Sequence, residues 1–274
     1  MKNTLAIIAF SGIVVLSACK KTETQNAHIQ NEAQPTKKFI IDSLKLSDSV
    51  KVNDKLSVKY DSKMLVFPDI TDKSLLDSIY YDKKGISDFS KKALQTFLNN
   101  DKNEYFTSVE NKSTEWINDI QYPQTWNTGS YMKLKSHKND FLQIEYLFSS
   151  YEGGAHENYG FSERVFDLKT NKKLELNDIT TMPKARLEAL LMQNINKIPS
   201  GTTDSQGAVK NSDMLLLEAI PTNENFYFDD KNLYFHYSPY EIAAFAAGDI
   251  IIPVSWEELE GTLTPLIKER LKIN

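Results

Sequence analysis

A chain of 274 residues with 41% apolar and 11% aromatic content is long enough to bury the core of one large domain or two small ones. Its formal net charge of -5 disfavours nucleic acid and anionic lipid headgroups as partners and suits a cationic partner better. Cys19 is the only cysteine, which excludes a disulfide within the chain.

The first residues have the pattern of a bacterial export signal. Lys2 supplies a positive charge, and the apolar run 5–16 that follows is too short to span a bilayer. The tetrapeptide Leu16-Ser17-Ala18-Cys19 then matches a lipobox, so we predict a lipoprotein signal peptide at 1–18 and lipidation of Cys19. Several acyl chains would make this anchor stable. The alternative is an ordinary secretory signal or a membrane helix with an accidental cysteine.

The segment after the lipobox indicates how the protein is placed. Residues 19–38 are polar and without apolar periodicity, which predicts a flexible tether. Lys20 and Lys21 follow Cys19 where many lipoproteins of an inner membrane carry aspartate. We therefore expect a lipid-anchored protein of the cell envelope, at an outer membrane and facing the periplasm or the cell surface.

The first folded region combines strands and helices. Short apolar runs at 39–46, 55–60 and 63–67 predict strands separated by turns. Between 72 and 109 the apolar residues recur at helical spacing, and Gly85 is expected to separate two helices.

Four antiparallel strands are predicted next by period-two alternation, at 131–134, 141–148, 159–168 and 173–176. Polar turns at 137–140 and 169–172 connect them. The motif Asn177-Asp178-Ile179 is expected to end the last strand.

The remaining elements complete an α+β pattern. The sequence predicts a helix opening at Pro183, a loop at 202–212, a hairpin of 226–228 with 233–237, and a strand at 250–254. Ser255 and Glu258 have the spacing of a capping pair and predict a final helix from 255 to 272. We therefore expect antiparallel sheets with helices packed on one face, in two adjoining subdomains.

Three local sequences occur in a characteristic order along the second half of the chain. They are Tyr151-Glu152-Gly153-Gly154-Ala155-His156 with a strand ending in Phe166-Asp167-Leu168-Lys169-Thr170, then Tyr240-Glu241-Ile242-Ala243-Ala244-Phe245-Ala246-Ala247-Gly248, and Ile252-Pro253-Val254-Ser255-Trp256-Glu257-Glu258-Leu259. Together they resemble the RsiV-type domain of unknown function, the extracytoplasmic domain of lysozyme-sensing anti-sigma factors, over 150–271. The family pattern commonly has proline and tyrosine where this chain has Ala244 and Phe245.

The region before these motifs resembles the companion domain named after the peptidoglycan deacetylase PdaC, through its strand-helix-strand order and its position. The two resemblances imply a PdaC-like domain at 39–149 and an RsiV-like domain at 150–274. They also imply a non-enzymatic binding module, whose partner is a cationic protein such as lysozyme, or peptidoglycan. Neither anti-sigma activity nor deacetylase activity carries over to this chain, since no matching segment is recognised.

Two motifs supply the candidate binding residues. Gly153 and Gly154 are expected to provide positive backbone torsions at a turn, with His156 starting the next strand. The segment 240–248 has no strand or helix period, and we expect an ordered loop.

Within this loop Glu241 is expected to bond backbone amides. The alternative is a loop that faces a ligand through Tyr240, Glu241 and Phe245.

The competing hypothesis is a metal-dependent hydrolase acting on peptidoglycan. It would bring His156 and His236 into one pocket with Glu152 or Asp249. The spacing of a zinc motif is absent, as are a nucleophile elbow and a phosphate loop, so we predict no metal, no cofactor and no catalytic residue. His236 is expected to be a half-exposed strand residue. A packing or assembly component without a diffusible ligand is a third possibility.

Overall fold

The computed structural model describes residues 39–116 and 120–273. The predicted signal peptide 1–18, Cys19 and the tether 19–38 lie outside the described residues. Within these two ranges, no helix combines the length and the apolar character that crossing a membrane requires.

Six strands form the larger sheet, in the order β1-β2-β3-β4-β5-β6. They are β1 Asp42–Lys51, β2 Leu56–Val66, β3 Gln124–Lys138, β4 Phe141–Tyr151, β5 Asn158–Asp167 and β6 Lys172–Lys173. Neighbouring strands pair antiparallel, except that β2 and β3 are parallel. A parallel pair needs a long crossover, and two helices supply it here. The predicted α+β class is confirmed, with one parallel pair added.

Two runs that the sequence predicted as separate strands, 55–60 and 63–67, belong to the single strand β2. The polar residues between them, Asp61 and Ser62, take part in the ladders with both neighbouring strands. Ser62 is buried, and its hydroxyl donates to the carbonyl of Ser130 at 2.9 Å. These polar residues therefore do not break the strand, because the buried hydroxyl of Ser62 is hydrogen-bonded inside the sheet.

The helices α1 Lys73–Ile79 and α2 Lys91–Trp116 connect β2 to β3 and cover one face of the six-stranded sheet. Asp72 caps α1, since its carboxylate accepts a hydrogen bond from the amide of Leu75 at 2.8 Å. Gly85 lies between the two helices with φ of +83°, as the predicted separation requires.

A second sheet packs on the other face of the six-stranded sheet. Its strands are β9 Phe226–Phe228, β10 Asn232–Tyr237 and β11 Ile250–Ser255, in the order β11-β10-β9. The predicted hairpin at 226–237 is confirmed. The short strands β7 Thr203–Asp204 and β8 Gly207–Ala208 form a separate hairpin inside the predicted loop.

The remaining helices are α3 Leu176–Ile179, α4 Lys184–Asn194 and α5 Pro265–Leu271. Pro183 precedes α4, as predicted, and the helix packs against β11 through Leu187 and Leu191. Asn177-Asp178-Ile179 was expected to end a strand and lies in α3 instead.

Strand β4 shows how the layers are stacked, because its side chains alternate between two cores. Leu142 and Ile144 pack with α1 and α2, whereas Phe141 and Gln143 point to the three-stranded sheet. The side-chain amide of Gln143 donates through Nε2 to the backbone carbonyl of Phe228 and accepts at Oε1 from the backbone N–H of Phe228, both at 2.9 Å. The six-stranded and the three-stranded sheet thus each have helices on one face, and the two sheets pack against each other through their opposite faces.

The boundary expected between 149 and 150 falls inside β4. The six-stranded sheet continues across it into β5 and β6. Phe141, before the boundary, belongs to the core of the second half, and Phe166, after it, belongs to the core beneath α1 and α2. The two regions expected as subdomains therefore share one sheet.

The final helix differs from its prediction. Ser255 and Glu258 form the expected reciprocal capping bonds, with Ser255 N donating to Glu258 Oε2 at 2.8 Å and Glu258 N to Ser255 Oγ at 3.2 Å. A helix does not follow, because Gly261 adopts φ of +79° within a series of turns. Helix α5 begins only at Pro265, after the cap Thr264.

Candidate functional site

The turn between β4 and β5 carries the first group of predicted site residues. Gly153 and Gly154 have φ of +90° and +110°, so the expected positive torsions are confirmed. A side chain at Gly154 would meet no heavy atom within 4 Å, which shows that backbone conformation, and not space, requires glycine there. His156 follows within the turn, before β5 begins at Asn158, and it is exposed.

His156 packs against the loop 240–248, and the two predicted motifs therefore meet. Its ring stacks on Phe245 with centroids 3.6 Å apart, and its Nε2 lies 3.3 Å from the hydroxyl of Tyr240. Tyr240 and Tyr159 also contact Phe245, at centroid distances of 5.6 and 5.8 Å. We call His156, Tyr159, Tyr240 and Phe245 the ring surface.

The loop that carries half of the ring surface is held by local bonds. The carboxylate of Glu241 accepts from the amide of Ser238 at 2.8 Å, which confirms the expected backbone contact. Tyr240 has φ of +66°, a left-handed conformation that costs a non-glycine residue about 1–2 kcal/mol. The side chain of Tyr240 is nonetheless 60% exposed. Backbone strain at an exposed aromatic residue is typical of a functional loop.

A second segment, 215–217, runs beside the loop 240–248 and carries apolar side chains. Leu215 forms an antiparallel bridge with Ala243, and the amide of Leu216 donates to the carbonyl of Ile242 at 2.9 Å. Leu216 and Leu217 are 61% and 43% exposed. These leucines could not be singled out from the sequence, because they end a run of four apolar residues, 214–217, that has neither a helical nor a strand period.

His236 is buried, so the expectation of a half-exposed residue was wrong. Its side chain is 2% exposed, with Nδ1 2.9 Å from Glu163 Oε1 and Nε2 3.1 Å from Asp249 Oδ2. His236 lies on one face of β10, and its neighbours Phe235 and Tyr237 lie on the other face, as strand alternation requires. The face assigned to solvent is covered by β5, however, because the two sheets stack there.

The two carboxylates change the titration of His236. Burial by itself lowers the pKa of the imidazole, but the hydrogen bonds to Asp249 and Glu163 outweigh burial and raise it. The same hydrogen bond from His236 lowers the pKa of Asp249. The stability contributed by His236 is therefore full below its unfolded pKa of about 6.5 and is lost as the pH rises through the raised folded value.

Lys135 completes this group of charges. Glu145 and Glu163 are directly paired on β4 and β5, an arrangement of like charges that is destabilising alone. The register of β3 shifts between Leu134 and Ser136, and the bulged Lys135 places Nζ 2.8 Å from Glu163 and 3.3 Å from Glu145. Nζ also lies 3.3 Å from the ring centroid of Tyr227.

We call Lys135, Glu145, Glu163, His236 and Asp249 the charge cluster. It lies between the two sheets. Sequence analysis missed its acidic centre, although Glu163 stands between Phe161 and Val165 on one face of a strand. A charge inside an apolar alternation is a signal that a buried partner exists.

The arrangement that the hydrolase hypothesis requires is absent from the described ranges. His156 contacts Tyr240 and Phe245, whereas His236 contacts Glu163 and Asp249. Among the residues that the structure describes, no three His, Cys, Asp or Glu side chains are grouped so that they could hold a metal ion.

Comparisons with known proteins agree on a shared fold. A family model described as "Protein of unknown function (DUF3298)" matches residues 176–257, which include the loop 240–248. A crystal structure of a DUF3298 family member from Bacteroides fragilis NCTC 9343 has a TM-score of 0.66 and 22% identity, covering 85% of this chain and 97% of that one. A DUF3298 family protein from Pseudomonas aeruginosa PAO1 has a TM-score of 0.51 and 16% identity, covering 85% and 96%.

No curated protein matches the chain. At these identities the two crystal structures show the fold alone. The finer resemblances to RsiV-type and PdaC-like domains stay predictions.

Replacing Lys135 by Met tests the charge cluster. The change leaves Glu145 and Glu163 paired without their shared cation, and we expect the free energy of unfolding to fall by about 1–3 kcal/mol, because the buried Glu163 loses a charged hydrogen-bond donor and keeps only His236. Lys133→Met is the matched control, since Lys133 also contacts Glu145 but is 66% exposed, and it should cost less than about 1 kcal/mol. Denaturant titration of both variants measures the difference, and equal losses would contradict this role.

Proposed function

We propose that this protein is a non-enzymatic, lipid-anchored binding protein of the cell envelope, and that the ring surface contacts its partner. The partner is a cationic protein such as lysozyme, or a cell-wall component. The observation that carries this proposal is the meeting of the exposed His156 and Tyr240 with the half-buried Phe245, from two separate loops. The resemblance to the RsiV-type domain supports lysozyme as the first partner to test.

Aromatic residues at the centre of an interface contribute a large share of binding energy. The ring surface offers them at low entropic cost, because the rings are already packed against one another and the loop is held by local hydrogen bonds. The exposed Leu216 and Leu217 extend the apolar area beside it. This combination supports a binding role more than a purely structural one.

The charges near the ring surface favour a cationic partner. Burial raises the pKa of the Tyr159 hydroxyl, and the nearby carboxylates of Asp249 and Glu157 raise it further. Glu241 is exposed on the same loop as Tyr240. An acidic border around an aromatic centre steers a positively charged protein toward the site and weakens with salt.

Binding of lysozyme to the full chain in detergent is the direct test. Tyr240→Ala removes an exposed ring from the surface, and we expect it to weaken binding by about 2 kcal/mol or more, since truncation of a central aromatic residue has that effect. Tyr122→Ala is the matched control, because Tyr122 is 77% exposed and lies in the segment before β3, outside the two loops that form the ring surface, and it should leave the affinity unchanged. Isothermal titration calorimetry measures both.

If no titration at micromolar protein gives a heat of binding, lysozyme is not the partner. Co-sedimentation of the same variants with purified peptidoglycan then tests the cell-wall version. Equal binding by the Tyr240→Ala and Tyr122→Ala variants would show that the ring surface is not the contact.

The anchor is tested by Cys19→Ala. We expect this variant to move from the membrane fraction to the soluble fraction, because acyl chains on Cys19 supply the membrane affinity. Cys19→Ser serves as a second variant, and immunoblots of fractionated cells give the measurement. Membrane retention of both variants would contradict lipidation at this residue.

A further inference from the structure

We propose that His236 and Asp249 are positioning residues for the ring surface, which is ordered while His236 carries its proton and loosens when that proton is lost. The consequence for partner binding rests on the proposed function. The consequence for the order of the loop does not.

The first connection between the buried pair and the surface runs along the backbone. Asp249 directly follows Gly248, the last residue of the loop 240–248. Gly248 has φ of +69°, and its amide donates to the carbonyl of Phe245 at 2.9 Å. The bond from His236 Nε2 to Asp249 therefore fixes the end of the turn that carries Phe245.

The second connection is an uninterrupted series of ring contacts. Phe161 stacks on His236 with centroids 4.5 Å apart, and Tyr159 meets Phe161 edge-on at 5.9 Å. Tyr159 then meets Phe245 edge-on at 5.8 Å, and Phe245 stacks on His156 at 3.6 Å. A shift of the buried imidazole is thus passed to the exposed rings through packed side chains.

Charged side chains from several strands surround His236. The ring is faced by Glu163 from β5 and by Asp249 before β11, and Glu163 is in turn bonded to Lys135 from β3. From the other packed strands, Glu145 of β4 also bonds Lys135, whose Nζ lies over Tyr227 of β9.

A neutral imidazole has one N–H and can donate to only one of its two carboxylates. The other carboxylate then faces a ring nitrogen lone pair, which repels it. Glu163 is fully buried and held by Lys135, whereas the side chain of Asp249 is 35% exposed and can turn to water. We therefore infer that deprotonation releases Asp249 and with it the end of the loop.

Hydrogen exchange at the amides of Ala247 and Gly248 tests this inference on the full chain in detergent. As the pH rises through the titration of His236, followed by side-chain NMR, the protection factors should fall by about tenfold or more, because losing one hydrogen bond to a charged group changes a local equilibrium by about that factor. Amides of the β1–β2 ladder should change much less. His236→Gln should give low protection without this pH dependence.

Two further variants keep the test decisive. His137→Gln, at an exposed histidine elsewhere, should retain the wild-type pH profile. Should His236→Gln fail to fold, Asp249→Asn replaces it, because Asp249 is partly exposed. This variant keeps an acceptor oxygen but loses the charge, and it should flatten the profile, whereas Asp249→Glu should restore part of it.

The affinity for lysozyme measured over the same pH range separates the two proposals. If the protection factors of Ala247 and Gly248 follow the titration of His236 but lysozyme does not bind at any pH, lysozyme is refuted as the partner and the positioning role is supported. Lysozyme binding with flat protection across the titration of His236, or a wild-type profile in Asp249→Asn, would overturn the positioning role.

Discussion

The imidazole of His236 lies between two carboxylates at the place where the two sheets meet, and the rest of the fold depends on how those charges are balanced. Taking charges out of water costs several kcal/mol for each ion, so such a group is stable only when every member has a partner. Glu163 has Lys135 and His236, and Asp249 has His236. The balance fixes the position of β10 over β5, since a shift would leave a charge unpaired.

The charge cluster also links the core to the surface that we propose for binding. A bulge in β3 supplies Lys135, and the residue after the loop 240–248 supplies Asp249. One end of the cluster therefore belongs to a rigid six-stranded sheet, and the other to an exposed loop. Binding sites are often built from a loop positioned by a rigid scaffold, and here the connection is electrostatic as well as steric.

Local chemistry made much of the fold predictable. The turn at 137–140 follows from Asn139 and Asp140, which adopt φ of 55° and 59°, and Pro183 marks the start of α4. Ser255 and Glu258 show the limit, because their capping bonds form without a helix. His236 shows another, since alternation tells which residues share a face but not what covers that face. The candidate site was predicted only as two loops, the turn with Gly153 and Gly154 and the loop 240–248, and not as a cluster of rings.

The protonation state of His236 is the quantity on which this account depends most directly. The ¹⁵N chemical shifts of its two ring nitrogens, followed from about pH 5 to about pH 9, report whether both carry protons. We expect both nitrogens to stay protonated to a pH clearly above the ordinary value of about 6.5, because Glu163 and Asp249 each accept a hydrogen bond from the ring. A midpoint at or below about 6.5 would contradict it.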